Sequence, residues 1–168
     1  MQRVQFLLER NMADFLKPIK KILFVILSLT WGGIMTAIGM LAFLALSLYN
    51  IFIFAFRGKH LRMQYKYNVL FIRIGQGWGG VNLGCVSVVC EDADDELMRH
   101  EAGHGIQNII YGVLFPFIVA IPSFIRYWYR EYKVIVKKVD YWSLPDYDSI
   151  WFEGQATRLG DKIYKEKQ

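Results

Sequence analysis

Ile22–Phe56 is a run of 35 residues without a charged side chain, and it limits what this chain can fold into more than any other feature. As one straight helix it would extend about 52 Å, against a hydrocarbon core of about 30 Å. One upright span leaves part of it unused, whereas two spans of about 17 residues would each just cross. At its centre lies Thr30-Trp31-Gly32-Gly33-Ile34-Met35-Thr36, the most polar and glycine-rich stretch of the run, suited to a bend or a close helix contact. The run therefore predicts a membrane hairpin, or one tilted span with an interfacial lead-in. Arg3, Arg10, Lys17, Lys20 and Lys21 precede it, and Arg57, Lys59, Arg62, Lys66 and Arg73 follow it. Basic residues on both sides favour the hairpin, with both ends cytoplasmic.

Composition points the same way. Of 168 residues, 54% are hydrophobic and 21% charged, beside about 45–50% and about 25% in ordinary soluble domains. Such a chain is not intrinsically disordered, and its length suits one domain plus a membrane segment. Twenty basic and 15 acidic residues give a net charge of +5. In so apolar a chain that excess suits an anionic membrane face rather than nucleic acid. Cys85 and Cys90 are too few for a disulfide framework and are not spaced as CxxC, which fits a reducing compartment. A cleavable signal peptide is not expected, because the apolar run is far longer than such a core and about 20 residues precede it. Within those residues Val4, Leu7, Leu8, Met12, Phe15 and Leu16 recur at helical spacing. They predict an amphipathic helix over 1–21, lying on the membrane or on the rest of the protein.

Beyond Arg57, Tyr67–Ile74 and Val81–Val89 are rich in β-formers and flank Gly75–Gly80, which predicts one β-hairpin with a long glycine turn. The glycines lack the spacing and the Lys-Ser/Thr of a phosphate loop, so nucleotide binding is not indicated. Glu91-Asp92-Ala93-Asp94-Asp95-Glu96 precedes a helix that starts near Leu97. Acid at a helix N-terminus is stabilised by the macrodipole, and the order of an EF-hand calcium loop is absent. Ile109–Ile125 is apolar and interrupted by Pro116 and Pro122, a poor span but a plausible re-entrant or interfacial segment. In Ser123–Lys133, Phe124, Tyr127, Trp128 and Tyr129 interleave with Arg126, Arg130 and Lys133. Next to an apolar segment this composition suits the headgroup belt rather than single-stranded nucleic acid.

The chemical signal is His100-Glu101-Ala102-Gly103-His104, an HExxH pattern holding two of the three histidines. On a helix, residues four apart share a face, so both imidazoles can meet one Zn²⁺ while Glu101 between them acts as general base toward the activated water. Catalytic zinc needs a third protein ligand. Position 107 is Gln and 110 is Ile, so the metzincin continuation is missing, and no histidine follows. His60, beside the membrane run, suits an interfacial role. A downstream carboxylate remains, best Glu153 in a helix ended by Gly160, with Glu131, Asp140, Asp146 and Asp148 as alternatives. Tyr147 and Tyr141 are candidates to steady an oxyanion. The fold expected is mainly α with a small β-hairpin (α+β), arranged as segment 1–21, membrane segment 22–56 and metal-binding domain 57–168, with 109–125 as its interfacial apolar stretch.

Several blocks carry a family resemblance: Thr30-Trp31-Gly32 with Met35-Thr36 and Gly39, Trp78–Gly84, His100–Asn108 (HEAGHGIQN), Ile121-Pro122-Ser123 with Ile125–Arg130, and Leu144-Pro145 with Tyr147–Thr157. Through them the chain resembles a family of small bacterial membrane proteins, mostly from Firmicutes, with a gluzincin-like metallopeptidase signature. The resemblance implies a minimal zincin-like core with His100, His104 and Glu153 as zinc ligands and Glu101 as general base. Many gluzincins place an Asp four residues after the ligand Glu, to orient the first His. That position is Thr157 here, which leaves Thr157 itself, Asp148 or Asp161 to serve. The expected activity is hydrolysis of a peptide or protein near the inner face of the cytoplasmic membrane, with membrane lipid as a partner and no nucleic acid. The alternative is a non-catalytic, metal-stabilised membrane protein working as a homo-oligomer or beside a partner protein.

Overall fold

In the computed structural model the backbone is described for residues 2–165, and side chains for the same range except 2–11, 13, 14 and 17. The uncharged run is broken where its composition predicts, but not into halves. Helix α1 covers Gln2–Leu29 and helix α2 covers Gly33–Arg57. No break falls at Lys21: the amphipathic lead-in and the first apolar residues form one helix, because a change of residue polarity alters the solvent a helix needs and not its backbone. The part of the uncharged run within α1 is only Ile22–Leu29, and among the described residues α2 is the one single helix long and apolar enough to cross a membrane, with 6% of its apolar window buried. The apolar face expected at Val4, Leu7 and Leu8 lies outside the described side chains.

The turn between the helices is fixed from below. Asn108 donates a hydrogen bond to Gly32 O at 3.3 Å, and a Cβ on Gly32 would sit 2.3 Å from the same amide. Gly112, with φ of 55°, lies so close to the Trp31 indole that a Cβ there would come within 2.1 Å. Farther along α2, a Cβ on Gly39 would lie 2.2 Å from Leu83 O. The arm therefore packs directly on the domain that follows it.

That domain contains four strands, not one hairpin: β1 (Arg62–Lys66), β2 (Val69–Arg73), β3 (Gly80–Leu83) and β4 (Val86–Val89), in the order β1-β2-β4-β3. Tyr67 and Asn68, both with positive φ, close a two-residue β1–β2 turn of the type that matches strand twist. Gly84 (φ 78°) closes the β3–β4 turn, braced by Asn82, whose side chain accepts from Gly84 N at 2.9 Å. The glycine stretch is instead the crossover. Gly75, Gly77 and Gly79 all have positive φ and carry the chain past β4 to the outer strand β3, so that β2 and β4 pair in parallel. The β-forming composition on both flanks is the same for a hairpin and for this crossover. Val69, Phe71 and Val89 are almost fully buried where the sheet meets Met98 and Ala102 of α3, and Ile72 and Val86 are buried on its other face.

Helix α3 (Asp95–Tyr111) begins two residues earlier than expected, with Asp94 accepting from Leu97 N at 2.8 Å as its N-cap. Three more members of the acidic cluster have structural partners: Asp95 accepts from Tyr67 and Arg99 and pairs with Lys66, Asp92 accepts from Gly77 N, and Glu91 pairs with Arg62. After α3 the chain bends by 117° through Gly112 and Pro116. It continues through a π-helical turn, Pro116–Ala120, into α4 (Ile121–Ile135). Short 3₁₀ turns at Tyr141–Ser143 and Tyr147–Ser149 lead to α5 (Trp151–Tyr164). The whole is mainly α with a small mixed sheet, an α+β fold. The expected pattern of a helix over Ser123–Lys133 lies within α4, and Gly160 lies inside α5 rather than ending it.

Helices α3 and α5 approach closely through small residues. A Cβ on Gly103 would be 1.9 Å from Ala156 O, and one on Gly160 would be 2.0 Å from Arg99 O. This contact brings Glu153 opposite the histidines.

Candidate metal centre

His100, His104 and Glu153 converge, with their donor atoms all within 4.8 Å of one another. Glu153 Oε2 is 3.2 Å from His100 Nε2 and 3.1 Å from His104 Nε2. A tetrahedral ion about 2.1 Å from each donor would place donors about 3.4 Å apart, close to these separations. Their side chains are 12%, 8% and 0% exposed, so water does little to solvate them.

Hydrogen bonds fix which imidazole nitrogens face inward. The Thr157 hydroxyl donates to Asp148 Oδ2 at 2.5 Å, so toward His100 Nδ1, 2.7 Å away, it acts as acceptor. Gln107 donates its amide to Phe152 O at 2.7 Å and to Gln155 Oε1 at 2.8 Å, which leaves its Oε1 to accept from His104 Nδ1 at 2.7 Å. Both rings thus carry a proton on Nδ1 and turn the Nε2 lone pair toward Glu153, the arrangement found behind histidine metal ligands. Three lone-pair donors meet with nothing but a proton or a cation able to lie among them. Burial alone would lower the His104 pKa, but the contact with Glu153 and the nearby carboxylates raise it. Burial would raise the Glu153 carboxyl, yet its close contacts with the His100 and His104 imidazoles, and the hydrogen bond from Ser123, hold it well below the usual range. The group can therefore hold a metal ion, and the donor set of two imidazoles and one carboxylate fits it.

Glu101 sits beside this cluster, 3% exposed, and its Oε2 has no hydrogen-bond partner among the described residues. Burial pushes its pKa up, against the opposing pull of His104 and His100. The room it occupies is left by Gly80 at the start of β3, where a Cβ would come 2.7 Å from Glu101 Oε1. A buried carboxylate oxygen without a partner is costly unless a bound species meets it.

Sequence reasoning missed three contributors. In the sequence Gln107 marks the departure from the metzincin pattern and belongs to the HEAGHGIQN block, with no role of its own. Ser123 donates to Glu153 Oε1 at 2.5 Å, leaving only Oε2 free to face the histidines. Gly80, in the sequence, is part of the Gly75–Gly80 turn glycines, with no sign that it makes room for Glu101. The Tyr147 hydroxyl lies 3.5 Å from Ser123 Oγ, and burial first, then the Glu153 charge, pushes its pKa up to about 12. It is therefore a neutral O–H donor at the rim. The other candidates lie elsewhere. Tyr141 faces Arg130, Asp140 caps the 3₁₀ turn that follows it, and His60 stacks on Phe54. Asp161 pairs with Arg99 at 2.8 Å, so the orienting role open at His100 falls to Thr157 and Asp148.

No known protein family, no curated protein and no solved structure matches this chain.

Proposed function

We propose that this protein is a membrane-associated zinc metallopeptidase of the gluzincin-like kind. The observation that carries the reading is Glu101 Oε2, buried and unpartnered beside a three-donor group of two imidazoles and a carboxylate. Two imidazoles with one carboxylate favour zinc over calcium or magnesium. Bound there, zinc would supply Lewis-acid polarisation of a carbonyl and a lowered pKa for water. Glu101, raised by burial, is suited to accept the proton of the attacking water and to return it to the leaving amine. Ser123 holds Glu153, Thr157 and Gln107 hold the imidazoles, and the Tyr147 hydroxyl is placed to steady negative charge on a substrate oxygen. The substrate is a peptide or protein segment at the membrane surface.

Arg57, Lys59, Arg62 and Lys66 follow α2 directly, which supports a cytoplasmic position for the domain at a bacterial cytoplasmic membrane. Cys85 and Cys90 are free thiols, in keeping with a reducing compartment.

The near-complete burial of the three ligands favours a second reading, a metal-stabilised membrane protein without catalysis that serves as a homo-oligomer or a partner's accessory subunit. One variant separates the two. Glu101→Gln in detergent-purified protein keeps about one zinc per chain in either case. If the peptidase reading holds, hydrolysis of a peptide library falls by about 10²–10⁴. Wild-type protein that retains zinc but cleaves nothing, or a variant as active as wild type, overturns the mechanism.

A further inference from the structure

Helix α4 has two opposite faces with different tasks. Ser123, Arg126 and Arg130 lie on one. Ser123 holds Glu153, Arg126 donates to the carbonyls of Asp146 and Tyr147 at 2.8 and 2.9 Å, and Arg130 donates to Pro145 O. This face clamps the loop that presents Tyr147 and Asp148 to the metal centre. The other face carries Ile121, Phe124, Ile125, Trp128, Tyr132 and Ile135, at spacings of three and four, each between 46% and 64% exposed. Among the described residues nothing covers it.

We propose that the apolar face of α4 lies in the headgroup–acyl boundary of a lipid bilayer, in the plane of the membrane, and thereby seats the metal centre at the membrane surface. Three observations select a bilayer as the occupant. First, the domain is packed on α2, itself apolar and nearly uncovered, so α4 cannot be far from whatever solvates α2. Second, the α4 face and its rim carry amphipathic aromatics: Trp128, Tyr129 and Tyr132, 56%, 56% and 46% exposed, are residue types that collect at the membrane–water interface. Third, Lys133 and Lys137 lie over the Tyr129 and Tyr132 rings at 4.7 and 5.8 Å. Long cationic side chains flanking an apolar stripe can reach anionic headgroups, whereas lysine is depleted where proteins meet one another. A helix bound in this way buries its apolar face about 5–10 Å into the boundary. The loop clamped by its opposite face then opens on the headgroup layer, which restricts substrates of that site to segments lying on or emerging from the bilayer.

The placement can be tested without metal or activity, so its failure would leave the peptidase reading standing, and the reverse. The full-length protein is reconstituted in nanodiscs of phosphatidylcholine and phosphatidylglycerol, with or without bromine atoms high on the acyl chains. The share of fluorescence due to Trp128 is the difference between wild type and Trp128→Phe. We expect bromination to quench that share by about half or more, as contact at this depth requires. Phe124→Trp placed in the Trp128→Phe background should restore a quenched signal. Unquenched emission from both positions overturns the proposal, and disulfide dimers of Ile125→Cys in the same discs would then assign the face to a second copy of the chain.

Discussion

Helix α2 and the pair α3–α5 invert the usual relation between polarity and burial. α2 is overwhelmingly apolar, yet of its residues only Met35, Thr36 and Gly39 are buried. α3 and α5 carry far more polar residues, yet they bury Glu101, His104, Gln107, Asn108 and Glu153. In a water-soluble domain either pattern alone would be destabilising. Helix α2 leaves its apolar side chains uncovered, as a helix able to cross a membrane would, while α3 and α5 hold polar atoms at fixed positions beside an apolar core. Among the described residues most of the buried polar atoms of α3 and α5 find partners, whereas Glu101 Oε2 and Asn108 Oδ1 have none.

The largest effect that would break this comparison is loss of the ion. With Glu153→Ala, or on adding a strong chelator to wild type, zinc content measured by elemental analysis should fall from about one per chain to none. Removing one of three donors leaves too few for tight binding. Zinc retained at full stoichiometry by Glu153→Ala would mean that the buried polar layer is a structural network and not a metal site.

A smaller effect separates the two regions by their glycines. Gly103→Ala sets a methyl 1.9 Å from a backbone carbonyl of α5, which cannot give way as a side chain does. The variant should lose about 3 kcal/mol of stability in denaturant unfolding, the upper part of the range for overpacking. Gly33→Ala, in the first turn of α2, meets nothing within 4 Å and should be neutral or slightly stabilising. Equal losses at both sites would show that the arm is as tightly packed as the site.

The same glycines explain how much the sequence could tell. His100, Glu101 and His104 are adjacent on one helical face, and spacing alone reveals such a group. Glu153 was reachable as a carboxylate in a downstream helix, although nothing in its spacing set it above Asp148 or Glu131. The bend at Thr30–Gly32 was legible because glycine and polar residues mark it within an apolar run. What spacing cannot reveal is which neighbour a residue meets. Ser123 sits in an apolar and aromatic stretch, and only the 117° bend before α4 brings it to Glu153. Gly75–Gly80 is compatible with a turn or a crossover, and the choice depends on β4 inserting beside β2, a pairing between residues well separated in sequence.

Thr157 sharpens the comparison at the level of one hydrogen bond. Thr157→Val keeps the shape but removes the hydroxyl that accepts from His100 Nδ1 and donates to Asp148. Outer partners of metal-bound histidines usually contribute about 10–100-fold in affinity, and a hydroxyl should fall at the lower end, about tenfold in zinc Kd by competition with a fluorescent chelator. Thr157→Asp, which puts a carboxylate next to the imidazole, should bind as tightly as wild type or more so. Unchanged affinity in Thr157→Val would mean that the ring is oriented by packing alone.

The smallest effect is expected at Asp161, where the polar layer reaches solvent. The Arg99 hydrogen bond holds its carboxyl below the usual range, with a further contribution from Lys165. A carboxyl depressed on folding stabilises the native state above its unfolded pKa of about 3.9, and that stability is lost as pH falls through the lower folded value. The side chain is 35% exposed, so solvent screens the pair and Asp161→Asn should cost only about 0.2–1 kcal/mol near neutral pH. The difference from wild type, followed by thermal unfolding across pH, should vanish on the acid side of the usual Asp range. A larger loss that persisted in acid would show that Asp161 does more than anchor Arg99. It would then belong with Thr157 and Asp148 among the groups that position the site, and the boundary between the buried polar layer and solvent would lie one turn farther along α5.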